Sequence, residues 1–329
     1  MGAALIECRS RARRRAALRV ALLLSVLGAS ACNRDLPRDV ARVNGVVVSE
    51  VRPPRGELAL PNTRGSVKFA VIGDSGRGDS AQNEVARQMV AWRERFSFDF
   101  VLMLGDNIYD SHTPADYVSR FEQPYRALLD EGVTFHAAIG NHDEPASIYY
   151  DKFNMGGQRY YSFRRAEISV EGIAGAGVRF FALDSRTLDS AQVEWLRKGL
   201  KESGSRWKIV FLHHPIYTSG RYVSGARTLR SSLEPALVEG EADVVLAGHE
   251  HFYERLVPQR GILYFISGAA GSLRRGDIRP SNLTARGFDT DYSFMLMEAS
   301  DDELFFQSIS RTGETVDAGM VTKSRDHQP

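Results

Sequence analysis

Hydrophobic positions along this chain come mostly in short continuous runs, and most of these runs stop at a glycine or a polar cluster. Residues 67–73 (VKFAVIG) and 100–105 (FVLMLG) have the pattern of buried strands, and 133–139 is a third such run. Between them, residues 80–95 place Val85, Met89 and Trp92 on one face at helical spacing, and a second helix is expected around 115–129. The stretch 146–183 is rich in aromatic and β-branched residues. It reads as two antiparallel strands, near 160–163 and 178–183, joined by the glycine-rich 172–177 turn. An amphipathic helix at 190–203 carries Val193, Leu196 and Leu200. A strand at 208–212, a helix near 229–238 and a strand at 244–247 follow, and strands at 262–267, 293–298 and 304–310 close the pattern. Strand–helix alternation followed by paired strands defines an α/β domain with mixed sheets.

The first 65 residues have a different texture. Six arginines and one acid lie in residues 1–31, ahead of and beside a 12-residue apolar run at 20–31. A spanning helix needs about 20 apolar residues, whereas a signal-peptide core needs about 7–15, so this segment predicts a cleaved leader. Ala29 and Ala31 suit an ordinary signal peptidase. Cys32 resembles the lipid-accepting cysteine of bacterial lipoproteins, although Ala29 stands where a leucine-like residue is usual. Arg14-Arg15 fits a twin-arginine export signal and a generic basic leader equally well. The expectation is an exported protein, periplasmic or on the outer surface, with membrane attachment through Cys32. Residues 33–65 hold Pro37, Pro53, Pro54 and Pro61, so 32–65 reads as a tether in which the Val46-Val47-Val48 run could form one edge strand but has no evident partner.

Removing the leader changes the charge picture. The whole chain has a formal net charge of +1, but the leader carries five net positive charges, so the remainder is mildly acidic. No long basic run is present, which argues against nucleic acid as a partner. Cys8 lies in the leader, so the mature chain keeps one cysteine and has neither an internal disulfide nor a cysteine-based zinc site. No protein partner is evident.

The chemistry sits where the apolar runs end. Asp74 follows 67–73, Asp106 follows 100–105, Asn141 and His142 follow 137–140, His213 follows 209–212, and His249 follows 244–248. Ligands of open α/β sheets bind at the carboxyl ends of strands. Gly73, Gly105, Gly140 and Gly248 directly precede four of these clusters, where a missing side chain lets the backbone turn close to a site. Aspartate, asparagine, histidine and tyrosine offer oxygen and nitrogen donors, which suit iron, zinc or manganese. His249 and His251 are two apart, so an extended backbone sends both to one side, where each can serve one of two neighbouring metals.

Five motifs make a resemblance specific: GDSG at 73–76, GDNIY at 105–109, GNHD at 140–143, HHP at 213–215 and GHEHFYER at 248–255. They stand in the order found in calcineurin-like metallophosphoesterases and look most like the purple acid phosphatases (the tartrate-resistant acid phosphatase type). Gly76 replaces the histidine that most of the superfamily has there, and Tyr109 supplies the tyrosine that this subgroup uses instead. The resemblance implies a four-layer α/β/β/α sandwich with two mixed β-sheets, a catalytic domain over 66–310 and a tail at 311–329. It implies one metal, M1, held by Asp74, Asp106, Tyr109 and His251, and a second, M2, held by Asp106, Asn141, His213 and His249, with Asp106 bridging. A phenolate favours Fe(III) at M1; M2 is left open among Fe(II), Zn(II) and Mn(II). Two carboxylates and one phenolate against five positive charges leave the centre positive, so it attracts a phosphate dianion.

The activity implied is hydrolysis of small phosphate monoesters, with metal-bound hydroxide attacking phosphorus in line and His142 stabilising the transition state or protonating the leaving group. Asp143 is the candidate to orient His142. Alternatives are a phosphodiesterase or nucleotide hydrolase on the same scaffold, or a lipoprotein that binds phosphoryl or glycan groups without turnover. His214 reads as a residue behind the ligands, His136 as structural, Asp184 as a turn residue and Ser190 as a helix cap; His112 is near the site with an open role. The family often has a further histidine after the HHP motif; residues 216–222 have none, which leaves Arg221, Arg274 and Arg275 as candidate ester contacts.

Overall fold

The computed structural model describes residues 38–43, 46–165, 177–279 and 281–323; the leader, Cys32 and most of the 172–177 turn lie outside them. Two sheets stack face to face. The first contains β1 (Arg38–Val43), β2 (Val46–Val51), β3 (Val67–Ile72), β4 (Phe100–Leu104), β5 (Thr134–Ala138), β13 (Ser293–Ala299), β14 (Glu303–Ser310) and β15 (Thr315–Thr322), in the order β1-β2-β15-β14-β13-β3-β4-β5. The second contains β6 (Tyr161–Arg165), β7 (Val178–Ala182), β8 (Trp207–Leu212), β9 (Val244–Ala247), β10 (Tyr253–Leu256), β11 (Leu263–Ser267) and β12 (Thr284–Phe288), in the order β12-β10-β11-β9-β8-β7-β6. Both are mixed: β3-β4-β5 and β7-β8-β9-β11 run parallel, and the flanking strands antiparallel.

Strand periodicity explains the layering. Alternate residues of a strand face opposite sides. Phe69 and Val71 of β3, Phe100, Leu102 and Leu104 of β4, Ile209 and Phe211 of β8, and Val244 and Leu246 of β9 fill the space between the sheets. Ala70, Ile72, Val101 and Met103 face outward from the first sheet onto α1 (Ser80–Arg93), whose Val85, Met89 and Trp92 are buried as the spacing predicted. Val210, Leu212 and Val245 face outward from the second onto α4 (Ser190–Lys201) and α5 (Val223–Glu239). Both faces of the central strands are covered, which is why they read as unbroken hydrophobic runs. The result is the expected four-layer sandwich.

Four expectations are corrected. The helix around 115–129 breaks into α2 (Pro114–Tyr117), a wide π turn at Val118–Glu122 and α3 (Arg126–Asp130). Tyr117, Phe121 and Tyr125 are four apart and all buried. An α-helix rotates such residues by about 40° at each step, whereas the wider turn keeps them facing Phe135 and Phe153. Residues 46–66 are not a loose tether. β2 pairs with both β1 and β15, and Glu298 accepts hydrogen bonds from the backbones of Asn62 and Thr63 and from the Ser66 hydroxyl. The 311–329 tail likewise holds β15, paired along β14. Buried Arg255 ties these ends together through Asp317 at 2.7 Å and Glu50 at 2.7 Å. β10 and β12 had no signal of their own, being short and bordered by polar residues. The helix cap of α4 is Asp189 rather than Ser190, its side chain accepting from the Gln192 amide at 2.8 Å.

His136 is structural, as read. Its ring stacks on Phe163 with centroids 4.0 Å apart, and burial followed by the Arg165 charge lowers its pKa to about 4. The unfolded chain binds that proton below about 6.5 and the folded chain does not, so this site favours folding fully above pH 6.5 and loses that contribution as pH falls towards 4. Urea unfolding of His136→Leu across pH 4.5–7 is expected to show a shallower loss of stability on acidification, by up to ~3 kcal/mol between the ends. An unchanged pH slope would contradict the assignment.

Candidate metal centre

The parallel strands of both sheets end at one edge, and five of them deliver the polar residues singled out from the sequence. Asp74 follows β3, Asp106 follows β4, Asn141 follows β5, His213 follows β8 and His249 follows β9. Three of these leave the strand in a left-handed conformation: Asp74 at φ 54°, Asp106 at φ 53° and His249 at φ 70°. Such geometry costs a residue other than glycine on the order of 1–3 kcal/mol and clusters at functional sites. Here it turns each side chain into the junction while its backbone serves a neighbour. The His249 amide donates to Asp74 Oδ2 at 2.8 Å, and the His142 amide donates to Asp106 Oδ1 at 2.9 Å.

Two groups of donor atoms result. Asp74 Oδ1, Tyr109 Oη and His251 Nε2 form a triangle with sides of 3.3–3.4 Å. Around His213 Nε2 lie Asn141 Oδ1 at 3.0 Å, His249 Nδ1 at 3.2 Å and Asp106 Oδ1 at 3.4 Å. Asp74, Asp106 and His213 offer ligand atoms within 4.8 Å of one another, so the groups adjoin. His213 Nδ1 lies 2.9 Å from the Leu104 carbonyl, so this nitrogen carries the proton. Nε2 then turns a lone pair toward the other acceptors. Converging lone pairs repel unless a cation lies among them. The sides of the triangle are long for hydrogen bonds and suit the edges of a shell with bonds of about 2.0–2.2 Å. The residues present therefore fit metal ions, one group per ion.

The electrostatics agree. Burial, and then the Asp106 charge, raise the Asp74 carboxyl well above its ordinary range. Burial, and then the two carboxylates, push Tyr109 up. Burial holds His213 well below its usual value, His249 down at about 2 and His251 at about 4, so all three imidazoles are neutral, the form that binds metal. Buried acids that resist ionising beside neutral histidines are stabilised as anions by a bound cation.

The glycines act by closeness. A β-carbon on Gly105 would lie 2.6 Å from His213 Nδ1, and one on Gly248 would lie 2.6 Å from Asp74 Oδ2. One on Gly140 would overlap the backbone nitrogen and carboxylate of Asp106.

His142 is exposed at the mouth, its ring 4.7 Å from that of Tyr109. Asp143 does not orient it. The Asp143 carboxylate is buried and accepts from the amides of Asn107, Ile108 and Gly140 and from Asn107 Nδ2, at 2.8–3.0 Å, clamping the end of β4 to that of β5. Burial and Asp106 raise its pKa to about 7. His214 adjoins the ligands, its Nδ1 2.9 Å from Ser185 Oγ, its ring 4.4 Å from His249 and one of its nitrogens within 4.8 Å of those of His213 and His249. Asp184 is a turn residue, accepting from Arg186 and Thr187. His112 Nε2 accepts from the Glu144 amide at 3.2 Å.

Other neighbours escaped the sequence reading. Arg77 lies over the Tyr109 ring at 3.7 Å and donates to Ser272 Oγ at 3.0 Å. Tyr222 packs 4.2 Å from the His249 ring, held there by buried Glu250, which accepts from the Tyr222 amide and the Thr218 hydroxyl at 3.0 Å each. Only Arg77, two residues after the first ligand motif's aspartate-serine pair, had a signal in its position. Arg221, considered as an ester contact, is instead paired with Asp277 at 2.8 Å.

With fold and site in view, the class is plain: residues 67–253, more than half of the chain, match the calcineurin-like phosphoesterase family, and the chain belongs to it. Its relatives there include acid phosphatases. It is 28% identical to purple acid phosphatase 17 of Arabidopsis thaliana over 68% of this chain and 73% of that protein. It is 24% identical to human (Homo sapiens) tartrate-resistant acid phosphatase type 5 over 76% of this chain and 89% of that one. The fold is shared with the purple acid phosphatase PPD1 from yellow lupin (Lupinus luteus) seeds, with a TM-score of 0.63 and 18% identity over 81% of this chain and 55% of that one. It is also shared with GAP50, the anchor in the inner membrane complex of Plasmodium, with a TM-score of 0.71 and 18% identity over 80% and 91%.

The close approach at Gly140 gives a test that needs no metal. Gly140→Ala is expected to lower the stability of the metal-free protein by about 1–3 kcal/mol in urea. Gly225→Ala, inside α5 with open space around it, is expected to be neutral or stabilising by about 1 kcal/mol. Equal effects from the two substitutions would refute the steric account.

Proposed function

We propose that this protein hydrolyses phosphate monoesters at a centre for two metal ions. The observation that carries the reading is the convergence of seven donors from distant parts of the chain into two adjoining groups, with lone pairs facing one another. Asp74, Tyr109 and His251 would hold M1, Asn141, His213 and His249 would hold M2, and Asp106 would bridge. The phenolate of Tyr109 supports Fe(III) at M1, with Fe(II), Zn(II) or Mn(II) at M2. Two such ions supply Lewis-acid polarisation of phosphoryl oxygens and a lowered pKa for bound water.

The chain's own groups do the rest. The Leu104 carbonyl fixes the His213 tautomer, and the His249 and His142 amides hold the two carboxylates in place. Asp143 keeps the strand ends that carry Asp106 and Asn141 in register. His142, exposed beside Asn141, is the proton donor to the departing ester oxygen. Esters with good leaving groups need that proton least, so His142→Ala is expected to lower kcat about 10²–10⁴-fold on an alkyl phosphate and less on an aryl phosphate. The same assay with a diester separates the monoesterase reading from a phosphodiesterase. Tyr109→Phe is expected to remove the visible charge-transfer band of the metal-loaded protein. Loss of equal size on both esters would remove His142 from proton transfer, and an unchanged spectrum would remove Tyr109 from the M1 shell.

The leader supports export, with attachment through Cys32. Full-length protein expressed in a bacterium is expected in the membrane fraction, and Cys32→Ala in the soluble one. An identical distribution of the two would exclude a lipid on Cys32.

A further inference from the structure

Among the described residues, two groups of three histidine or acidic side chains bring ligand atoms within 4.8 Å of one another. One is Asp74, Asp106 and His213, where the two donor groups adjoin. The other is His213, His214 and His249, and it brings in a histidine outside the seven donors.

The backbone explains how His214 gets there. An extended chain would send the neighbours His213 and His214 to opposite faces. β8 ends at Leu212, and the chain bends at 213–214 before Pro215. The bend turns both rings into the same junction, with centroids 4.9 Å apart and planes at 80°. Ser185, in the loop after β7, then fixes the ring. Its Oγ accepts from the His214 amide at 2.9 Å and lies 2.9 Å from His214 Nδ1. A hydroxyl oxygen has two lone pairs, so it takes the Nδ1 proton as well as the amide's. Nε2 is left with the free lone pair, the same tautomer that the Leu104 carbonyl imposes on His213. Ligating imidazoles commonly donate their other N–H in this way. The loop that carries Ser185 is itself fastened: Gln192 bonds both the amide and the carbonyl of Asp184, at 2.8 and 3.1 Å, and Arg186 Nη1 donates to the Asp143 carbonyl at 2.9 Å. Burial lowers the pKa of His214, which keeps the ring in the neutral form that binds metal.

Donors bonded to one ion at about 2.0–2.2 Å stand at most about 4.4 Å apart, so a small rotation of the ring completes the set. A nitrogen lone pair serves one cation. His213 and His249 already belong to M2, so His214 joins that ion and does not found a third site. Resting on the two-metal reading above, we propose that His214 is a further ligand of M2, which then has three imidazoles beside Asp106 and Asn141. A neutral ring leaves the charge of the centre unchanged. What it changes is the choice of metal: imidazole suits zinc and iron, whereas carboxylate and carbonyl oxygens suit manganese. M2 is thereby biased toward Zn(II) or Fe(II) over Mn(II).

An imidazole bound to a paramagnetic ion gives one strongly shifted, exchangeable N–H signal. Protein loaded with Co(II) is expected to show one such proton signal from each of His213, His214, His249 and His251, and one fewer in His214→Ala. His214→Gln, closer in volume, gives the same count if the alanine variant does not fold. Chelator competition on zinc-loaded and manganese-loaded protein is the second readout. His214→Ala is expected to weaken one of the two zinc ions about 100-fold and the corresponding Mn(II) less than about tenfold. Ser185→Ala is expected to keep every signal while weakening that zinc about tenfold. The assignment is overturned if the signal count is the same with and without His214, or if zinc and manganese weaken by the same factor. Wild-type protein that holds fewer than two ions would overturn the two-metal reading and this inference with it. Two bound ions and a His214 signal without any ester hydrolysis would leave the ligand standing and remove the catalytic reading.

Discussion

Two carboxylates, Asp74 and Asp106, are buried within a few ångströms of each other where the two sheets meet. Burial, and then the neighbouring Asp106 charge, oppose ionisation of Asp74. No cationic side chain forms an ion pair with either among the described residues, and the nearest titratable partners are neutral imidazoles. The fold therefore builds a focus of negative potential and leaves its neutralisation to cations from outside. The other features of the edge follow from keeping that focus in place.

Keeping it in place falls to the backbone. Amides of His249 and His142 each bind one aspartate, and both bonds cross between strands distant in sequence. They come with left-handed turns at Asp74, Asp106 and His249 and bare α-carbons at Gly105, Gly140 and Gly248, where a methyl group would crowd the side chains of His213, Asp106 and Asp74. Strain and close approach are thus concentrated at strand ends. The sheets behind them, packed with Phe69, Phe100, Phe180 and Phe211, are rigid enough to hold the strain.

Acids near the centre take on different duties according to what they can reach. Asp143 is surrounded by donors and serves as a staple between β4 and β5. Glu250, between two histidines of the centre, points away from it and pulls the loop bearing Tyr222 against His249. Proximity in sequence to a ligand did not predict either duty, because a carboxylate follows its nearest donors.

Most of the candidate ligands were legible in the sequence because they are marked locally: Asp74, Asp106, Asn141 and His249 each follow an apolar run and a glycine, and His213 follows an apolar run directly. The same holds for the central strands, since burial on both faces writes itself as an unbroken hydrophobic run. Other features have no local mark. β2 becomes an interior strand only because β15, some 270 residues later, supplies its partner. Phe121 bends its helix only because Phe135 and Phe153 are there to receive it. Composition and spacing set which residues can turn, bury or bind. Which of them meet is decided by contacts between distant segments, and the energy of those contacts depends on distances that the order of residues does not contain.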